Sequence, residues 1–143
     1  MSNLHVICKI ADSEYAIPAD SVFQMESFTE ATPIPGSPDY VAGLVQIRQQ
    51  IIGVLNMRLR LGLPYAAPTL ESRVIVLKIG EKLVGFLVDS AREVQNIEPD
   101  LFRAPPEVVT KQSEGFVKAI AQIKNRIIIL LDAVKVTGEI THV

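Results

Sequence analysis

Apolar and polar positions alternate along this chain in short runs, and the runs come in pairs. Val6, Cys8 and Ile10 alternate with Ile7 and Lys9; Ile75, Leu77 and Ile79 alternate in the same way with Val76 and Lys78. A period of two with β-branched residues predicts a strand at 5–10 and another at 73–79. Each is followed by a turn, Ala11-Asp12-Ser13 or Gly80-Glu81-Lys82, and then by a second short strand, 15–17 or 83–88. A brief segment opens next on Asp-Ser. It carries Val22 and Met25, or Ala91 and Val94, three residues apart, the spacing that one helical or irregular turn would bring to a single face.

The longest runs then appear. VAGLVQIRQQIIGVLN at 41–56 and VKAIAQIKNRIIILLD at 117–132 each place two apolar strands around a polar turn, Arg48-Gln49-Gln50 or Lys124-Asn125-Arg126. Ile51 and Ile127 are read as facing the core. A short helix at 56–61, stopped by Gly62 and Pro64, closes the first unit, and prolines 64 and 68 mark the join.

These pairs make an internal repeat. The two hairpin stretches agree at six of sixteen positions. Lys9-Ile10 falls on Lys78-Ile79, and Asp20-Ser21 on Asp89-Ser90, at an offset of 69. The hairpins stand at an offset of 76, so the second unit holds about seven extra residues between Ser90 and Val117. That stretch is rich in loop formers, and loops absorb insertions at small entropic cost. Units at 5–63 and 73–137, each with four or five strands, predict an all-β fold. A small antiparallel barrel with short helical turns occurs twice in one domain (1–143), with room for the units to exchange edge strands. Two barrels packed face to face about a pseudo-twofold axis bury a core that neither makes alone, and the groove between them is the natural binding surface.

Charge and composition narrow the function. The formal net charge of -2 speaks against nucleic acid as a partner, since phosphate binding needs a basic stripe, and the close pair Arg58 and Arg60 is a poor footprint. The N-terminus, MSNLHVICK, lacks a basic region followed by a long apolar stretch, and the apolar run 127–131 is far too short for a membrane span. A cytoplasmic protein without membrane insertion is expected.

Catalytic chemistry finds no constellation. His5 and His142 lie near opposite ends of the chain. Cys8 is the only cysteine, and alternation puts it on the opposite face from His5, where it reads as a small core residue. Asp20-Ser21 and Asp89-Ser90 occur in both units, as a shared turn would. Glu98-Pro99-Asp100 reads as a solvated turn, and no glycine-rich phosphate loop is present. No enzyme, metal or cofactor is expected. Arg48, at a hairpin tip between apolar strands, is the charge best placed to bind a carboxylate or carbonyl of a partner.

In order and spacing, EYAIPADSV (14–22), PIPGSPDYVAGLVQIR (33–48), IIGVLNMRLRLGLP (51–64), RVIVLKIGEKLVGFLVDSAREV (73–94) and FVKAIAQIKNRIIILLD (116–132) resemble the CheW-like domain of bacterial chemotaxis over nearly the whole chain. The resemblance implies two SH3-like five-stranded β-barrels around a common core, and a non-enzymatic adaptor. Such adaptors couple the cytoplasmic tips of methyl-accepting receptors to the regulatory domain of a CheA-type histidine kinase. It also implies partner contact, or the shaping of contacts, at Val22, Gly43, Arg48, Gly85 and Val94. Gly43 and Gly85 would permit close backbone approach. The chain departs from the family at the hairpin tip, where Gln49 replaces a glycine. Gln49 is therefore expected to carry a positive φ at some cost. Gly53 and Asn56 replace a proline and an aspartate, and Gln24 replaces an acid. These departures motivate an alternative: a scaffold that caps or localises receptor arrays, or serves a pilus or surface-sensing pathway, without activating the kinase.

Overall fold

Strand formers dominate the chain, and turn residues divide them into short pieces. The computed structural model describes residues 3–112 and 115–138. Its strands are β1 (Leu4–Ile10), β2 (Ser13–Pro18), β3 (Val22–Ser27), β4 (Val41–Ile47), β5 (Gln50–Asn56), β6 (Arg73–Ile79), β7 (Lys82–Val88), β8 (Ser90–Asn96), β9 (Phe102–Arg103), β10 (Val117–Ile123) and β11 (Arg126–Leu131). Three short helices, α1 (Met57–Arg60), α2 (Glu107–Gln112) and α3 (Ala133–Thr137), join them.

The strands form two sheets, in the orders β8-β1-β2-β11-β10-β9 and β3-β6-β7-β5-β4. We call these barrel A and barrel B. Barrel B is built from five consecutive strands, β3–β7, whereas barrel A is assembled from the strands that precede and follow them. Barrel A takes the leading hairpin β1–β2 together with β8 and the late hairpin β10–β11; barrel B takes β3 and the hairpin β4–β5 together with β6–β7. The chain thus inserts all of barrel B between β2 and β8 of barrel A. It also adds two parallel pairings to a fold expected to be antiparallel: β11 beside β2 and β5 beside β7, with Ile129 opposite Tyr15 and Gly53 opposite Val84. Tight hairpins join β1 to β2, β4 to β5, β6 to β7 and β10 to β11, while β1 with β8 and β3 with β6 pair antiparallel through longer connections. The two-residue β9, inside the extra stretch of the second half, gives barrel A its sixth strand.

Apolar packing follows from this interleaving. Ile7, Ala16, Ile97, Ala121, Ile128 and Leu130 fill barrel A. Ile47, Ile52, Val54, Val74, Val76 and Leu87 fill barrel B. A third and larger cluster, including Val6, Cys8, Ile10, Leu55, Ile75, Leu77, Phe86 and Leu131, lies between the barrels. β1 is buried on both faces for this reason: its odd positions face barrel A and its even ones the shared core.

The phase of the long hairpins corrects one expectation. Ile51 and Ile127 are 71% and 61% exposed, while their neighbours Ile52 and Ile128 are 3% and 0% exposed. Two consecutive isoleucines satisfy either phase of a strand, so period alone cannot choose between them. The segments after Asp-Ser are strands too, not helical turns. The register of β3 shifts between Val22 and Gln24, and that of the β1–β8 pair shifts opposite Ile7 and Cys8. One extra residue at each bulge brings Val22 and Met25 to the same core-facing side, which imitates helical spacing.

Hydrogen bonds place α1 and α3 at equivalent points. The Leu59 amide donates to the Asn56 side chain at 3.2 Å, and the Lys135 amide donates to Asp132 Oδ1 at 3.1 Å. Asn56 thus keeps the capping role that the aspartate plays in the second half. The Asn56 amide donates to the Tyr40 carbonyl at 2.7 Å, as the Asp132 amide does to Phe116 at 2.8 Å. Arg60 bridges the two: its guanidinium lies 4.3 Å from the Tyr40 ring centre and 4.7 Å from that of Phe116, and its Nε donates to the Val136 carbonyl at 2.7 Å.

Candidate functional site

β4 and β5 meet at a two-residue loop, and its first residue carries the strain. Arg48 has φ +58° and Lys124, in the matching loop of barrel A, has φ +57°. Gln49, expected to hold the positive φ, does not. The hairpin needs its left-handed residue one place earlier, in both barrels, whatever follows it. Arg48 is exposed at the tip, and no described acidic residue pairs with its guanidinium.

Beside the tip lies an open depression lined by Phe23, Gln24, Ile47, Arg48, Gln49 and Gln50. Phe23 is 55% exposed, which is unusual for a large aromatic side chain on a strand. The Nε2 atom of Gln24 is buried without a hydrogen-bond partner. Phe23 went unnoticed in the sequence because it stands between Val22 and Gln24 in a segment whose bulge hides the strand period; its aromatic bulk between two polar stretches was the available signal.

The same place on barrel A is closed by ion pairs. Arg126 donates to Glu14 from Nε at 3.0 Å and from a terminal nitrogen at 2.6 Å, and that terminal nitrogen also donates to Glu93 at 2.6 Å. The hydrogen bond from Arg126 is the main cause that holds the Glu14 carboxyl below the usual carboxylate range, and both glutamates raise the pKa of Arg126. Arg126, Glu14 and Glu93 were not singled out in the sequence, since they come from three distant segments.

The five residues implied by the resemblance are scattered. Val22 is half-buried against the shared core, beside Phe23 and so near Arg48. Val94 is 57% exposed on β8 of barrel A, opposite Val6. Gly43 and Gly85 are buried, and the backbone approaches they allow are internal. A Cβ on Gly43, whose φ is +135°, would stand 2.2 Å from the Thr32 carbonyl oxygen, where residue 32 bridges to β4. A Cβ on Gly85 would stand 2.7 Å from Val74 Cγ1, inside barrel B.

The remaining polar candidates hold the fold together. Asp89, between β7 of barrel B and β8 of barrel A, accepts from the Ala11 amide at 2.9 Å and from Arg58 at 2.6 Å. Arg58 and Arg60, unpromising as a phosphate footprint, thus serve the junction between barrels. Burial, with Asp89 adding to it, pushes the Cys8 thiol up to about 12, so it stays protonated and unreactive. His5 is buried on the other face of β1, with its ring 5.4 Å from that of Phe102. Glu98 accepts from the side chains of Asn3 and Asn96 beside the turn Pro99–Leu101. His142 lies outside the described residues. Among the described residues no group of three His, Cys, Asp or Glu could hold a metal ion, and no helix is long and apolar enough to cross a membrane.

Known proteins share both the pattern and the architecture. The scaffolding protein TtCheW of Thermoanaerobacter tengcongensis superposes with a TM-score of 0.87 at 26% identity, over 96% of this chain and 89% of its own. The chemotaxis protein CheW of Thermotoga maritima is 32% identical over 136 residues, 93% of this chain and 86% of that protein. A probable chemotaxis protein CheW of Rhizobium etli is 29% identical over 87% of this chain and 80% of its own. Residues 5–140 match the family described as the CheW-like domain. The chain belongs to the CheW-like domain family, and it is a non-enzymatic adaptor of bacterial chemotaxis.

Proposed function

We propose that this protein joins the cytoplasmic tips of methyl-accepting receptors to the regulatory domain of a CheA-type histidine kinase, from the cytoplasmic side of a receptor array. The carrying observation is the open depression at the end of barrel B, where exposed Phe23 and the unpaired cation Arg48 stand together. An exposed aromatic beside an arginine is the composition of an interface anchor. In this reading Arg48 is the polar contact and Val22 supports the strand that carries Phe23. Val94 offers an apolar contact to a receptor helix on barrel A, as helix-in-groove docking requires. Gly43 and Gly85 act indirectly, by letting the loop at residue 32 and the barrel wall close behind the contact surface.

Calorimetric titration with the kinase regulatory domain and with a receptor-tip fragment tests the reading. Saturable binding of both, and a rise in kinase activity when the protein joins them on receptor-bearing vesicles, is expected. Folded protein that binds neither would falsify it. A capping role without kinase activation is not favoured: of the departures that motivated it, Gln49 has an ordinary φ and Asn56 still caps its helix.

A further inference from the structure

The two halves of the chain match at an offset of 76 beyond their hairpins. Tyr40 corresponds to Phe116, Asn56 to Asp132, Arg60 to Val136 and Gly62 to Gly138. The backbone keeps this correspondence: the Asn56 amide bonds the Tyr40 carbonyl as the Asp132 amide bonds that of Phe116, and both glycines have a positive φ. Arg60 is where it breaks. Its guanidinium lies 4.3 Å from the Tyr40 ring centre and 4.7 Å from that of Phe116, between two equivalent rings. Its Nε donates at 2.7 Å to the carbonyl of Val136, its own counterpart. A group that meets both members of an equivalent pair almost equally lies on the axis relating them, and an axis has room for one such group. The counterpart is accordingly a short apolar residue, fully buried. A Cβ on Gly138 would stand 3.1 Å from a terminal nitrogen of Arg60, whereas one on Gly62 would meet nothing within 4 Å.

Other contacts at this seam are of a different kind. Tyr40, Leu61, Phe116, Leu131 and Val136 belong to the apolar cluster between the barrels. Apolar burial scales with area and has no preferred direction, so it joins the barrels while setting the angle between them only loosely. A planar cation that stacks between two rings and donates a hydrogen bond does have a direction. α1 carries a second such tie: Arg58 donates to Asp89, which also accepts from the Ala11 amide in the β1–β2 turn of barrel A. We infer that Arg60 is a positioning residue, which from the pseudo-twofold axis fixes the orientation of one barrel to the other, with Arg58 as the supporting tie. An adaptor presents contacts on both barrels at once. Loss of Arg60 should therefore impair the joining of two partners more than the binding of either, and this consequence alone rests on the adaptor reading.

Pulsed electron resonance between two nitroxides tests the positioning role. Lys78→Cys on barrel B and Lys118→Cys on barrel A give exposed sites for the labels, while Cys8, being buried, stays unlabelled. One narrow distance is expected in the labelled parent. Arg60→Met should broaden it, and Tyr40→Leu, which removes one ring and leaves Arg60 in place, should broaden it less. Arg60→Lys, with the charge but without the planar fork, should restore only part of the order. Unchanged distributions in Arg60→Met and Tyr40→Leu would overturn the inference. So would failure of both variants to fold, since Arg60 would then serve stability alone; if only Arg60→Met fails, Tyr40→Leu decides. On receptor-bearing vesicles, Arg60→Met should activate the kinase at least about fivefold less than the parent, the low end of typical coupling between two sites. Its calorimetric affinities for the kinase regulatory domain and for a receptor-tip fragment, each measured alone, should stay within about twofold of the parent's. Equal losses in all three measurements would mark a merely structural residue and overturn the inference. A parent that activates no kinase, with Arg60→Met still broadening the distance, would count against the adaptor reading and leave the positioning role standing.

Discussion

Arg48 and Lys124 share a left-handed backbone conformation but differ in what surrounds them. Lys124 sits beside a barrel end already closed by Arg126 and its glutamates, whereas Arg48 borders an open one. Arg48→Ala should therefore weaken binding of the kinase regulatory domain several-fold while the melting temperature barely moves, because exposed turn charges contribute little to folding. A melting shift of many degrees would mark the residue as structural instead. The neighbouring isoleucines separate just as cleanly. Ile128→Ala should cost roughly 2–5 kcal/mol in urea denaturation, the usual range for emptying a packed core site. Ile127→Ala, at a mostly exposed position, should stay within about 0.5 kcal/mol of the parent. The sequence presents these two residues as interchangeable, since both are apolar in an apolar run. Only the pairing of β11 with β2 and β10 reveals which one points inward.

Between elements, side-chain chemistry distinguishes barrels that backbone pairing makes alike. The Arg126 cluster ties β11 to β2 and β8, so three strands of barrel A share one ionic clasp. Glu14 has a depressed pKa in the folded protein, so the stability it adds is present at neutral pH and is lost as pH falls through the carboxylate range. Glu14→Gln should lower stability at pH 7 by less than ~1 kcal/mol, given the partial exposure of the pair. The gap to the parent should narrow on acidification, as urea titrations from pH 7 down to about pH 4 will measure; a gap that widens would reverse the sign of the interaction. Much at this level was legible in the chain. The strands other than β3, β8 and β9, the helix after Asn56 and the extra residues between Ser90 and Val117 follow from periodicity and turn chemistry. Strand partners were not, because Ile7 and Val76, or Ile52 and Ile128, look equally suited to either barrel. The open site was half legible: Arg48 announced itself as a charge at a hairpin tip and Gln24 as a replaced acid, while Phe23 acquired meaning only as part of the lining beside them.

At the scale of the whole molecule, the cluster between the barrels welds them into one unit. Leu55, Ile75, Leu77 and Phe86 of barrel B and Met57 of α1 are buried in it together with Val6, Ile10, Ile17 and Leu131 of barrel A. Neither barrel could unfold and leave this surface dry. Denaturation followed by amide circular dichroism and by an environment-sensitive label near Phe23 should give coincident midpoints, the mark of a two-state transition. Separate midpoints for the two probes would mean that the barrels fold independently. The fragment 22–88, which holds all five strands of barrel B, should for the same reason be aggregation-prone when expressed alone.

The interleaved strand order also sets a timetable for synthesis. β1 and β2 leave the ribosome first, yet the strands that flank them, β8 and β11, are made only after all of barrel B. Through that interval the opening hairpin carries Val6, Ile7, Ile10, Ala16 and Ile17 with most of their eventual neighbours still unmade. The earliest part of the chain to exist is among the last to be enclosed, and a nascent chain of this design depends on rapid completion or on chaperone cover until its final hairpin arrives.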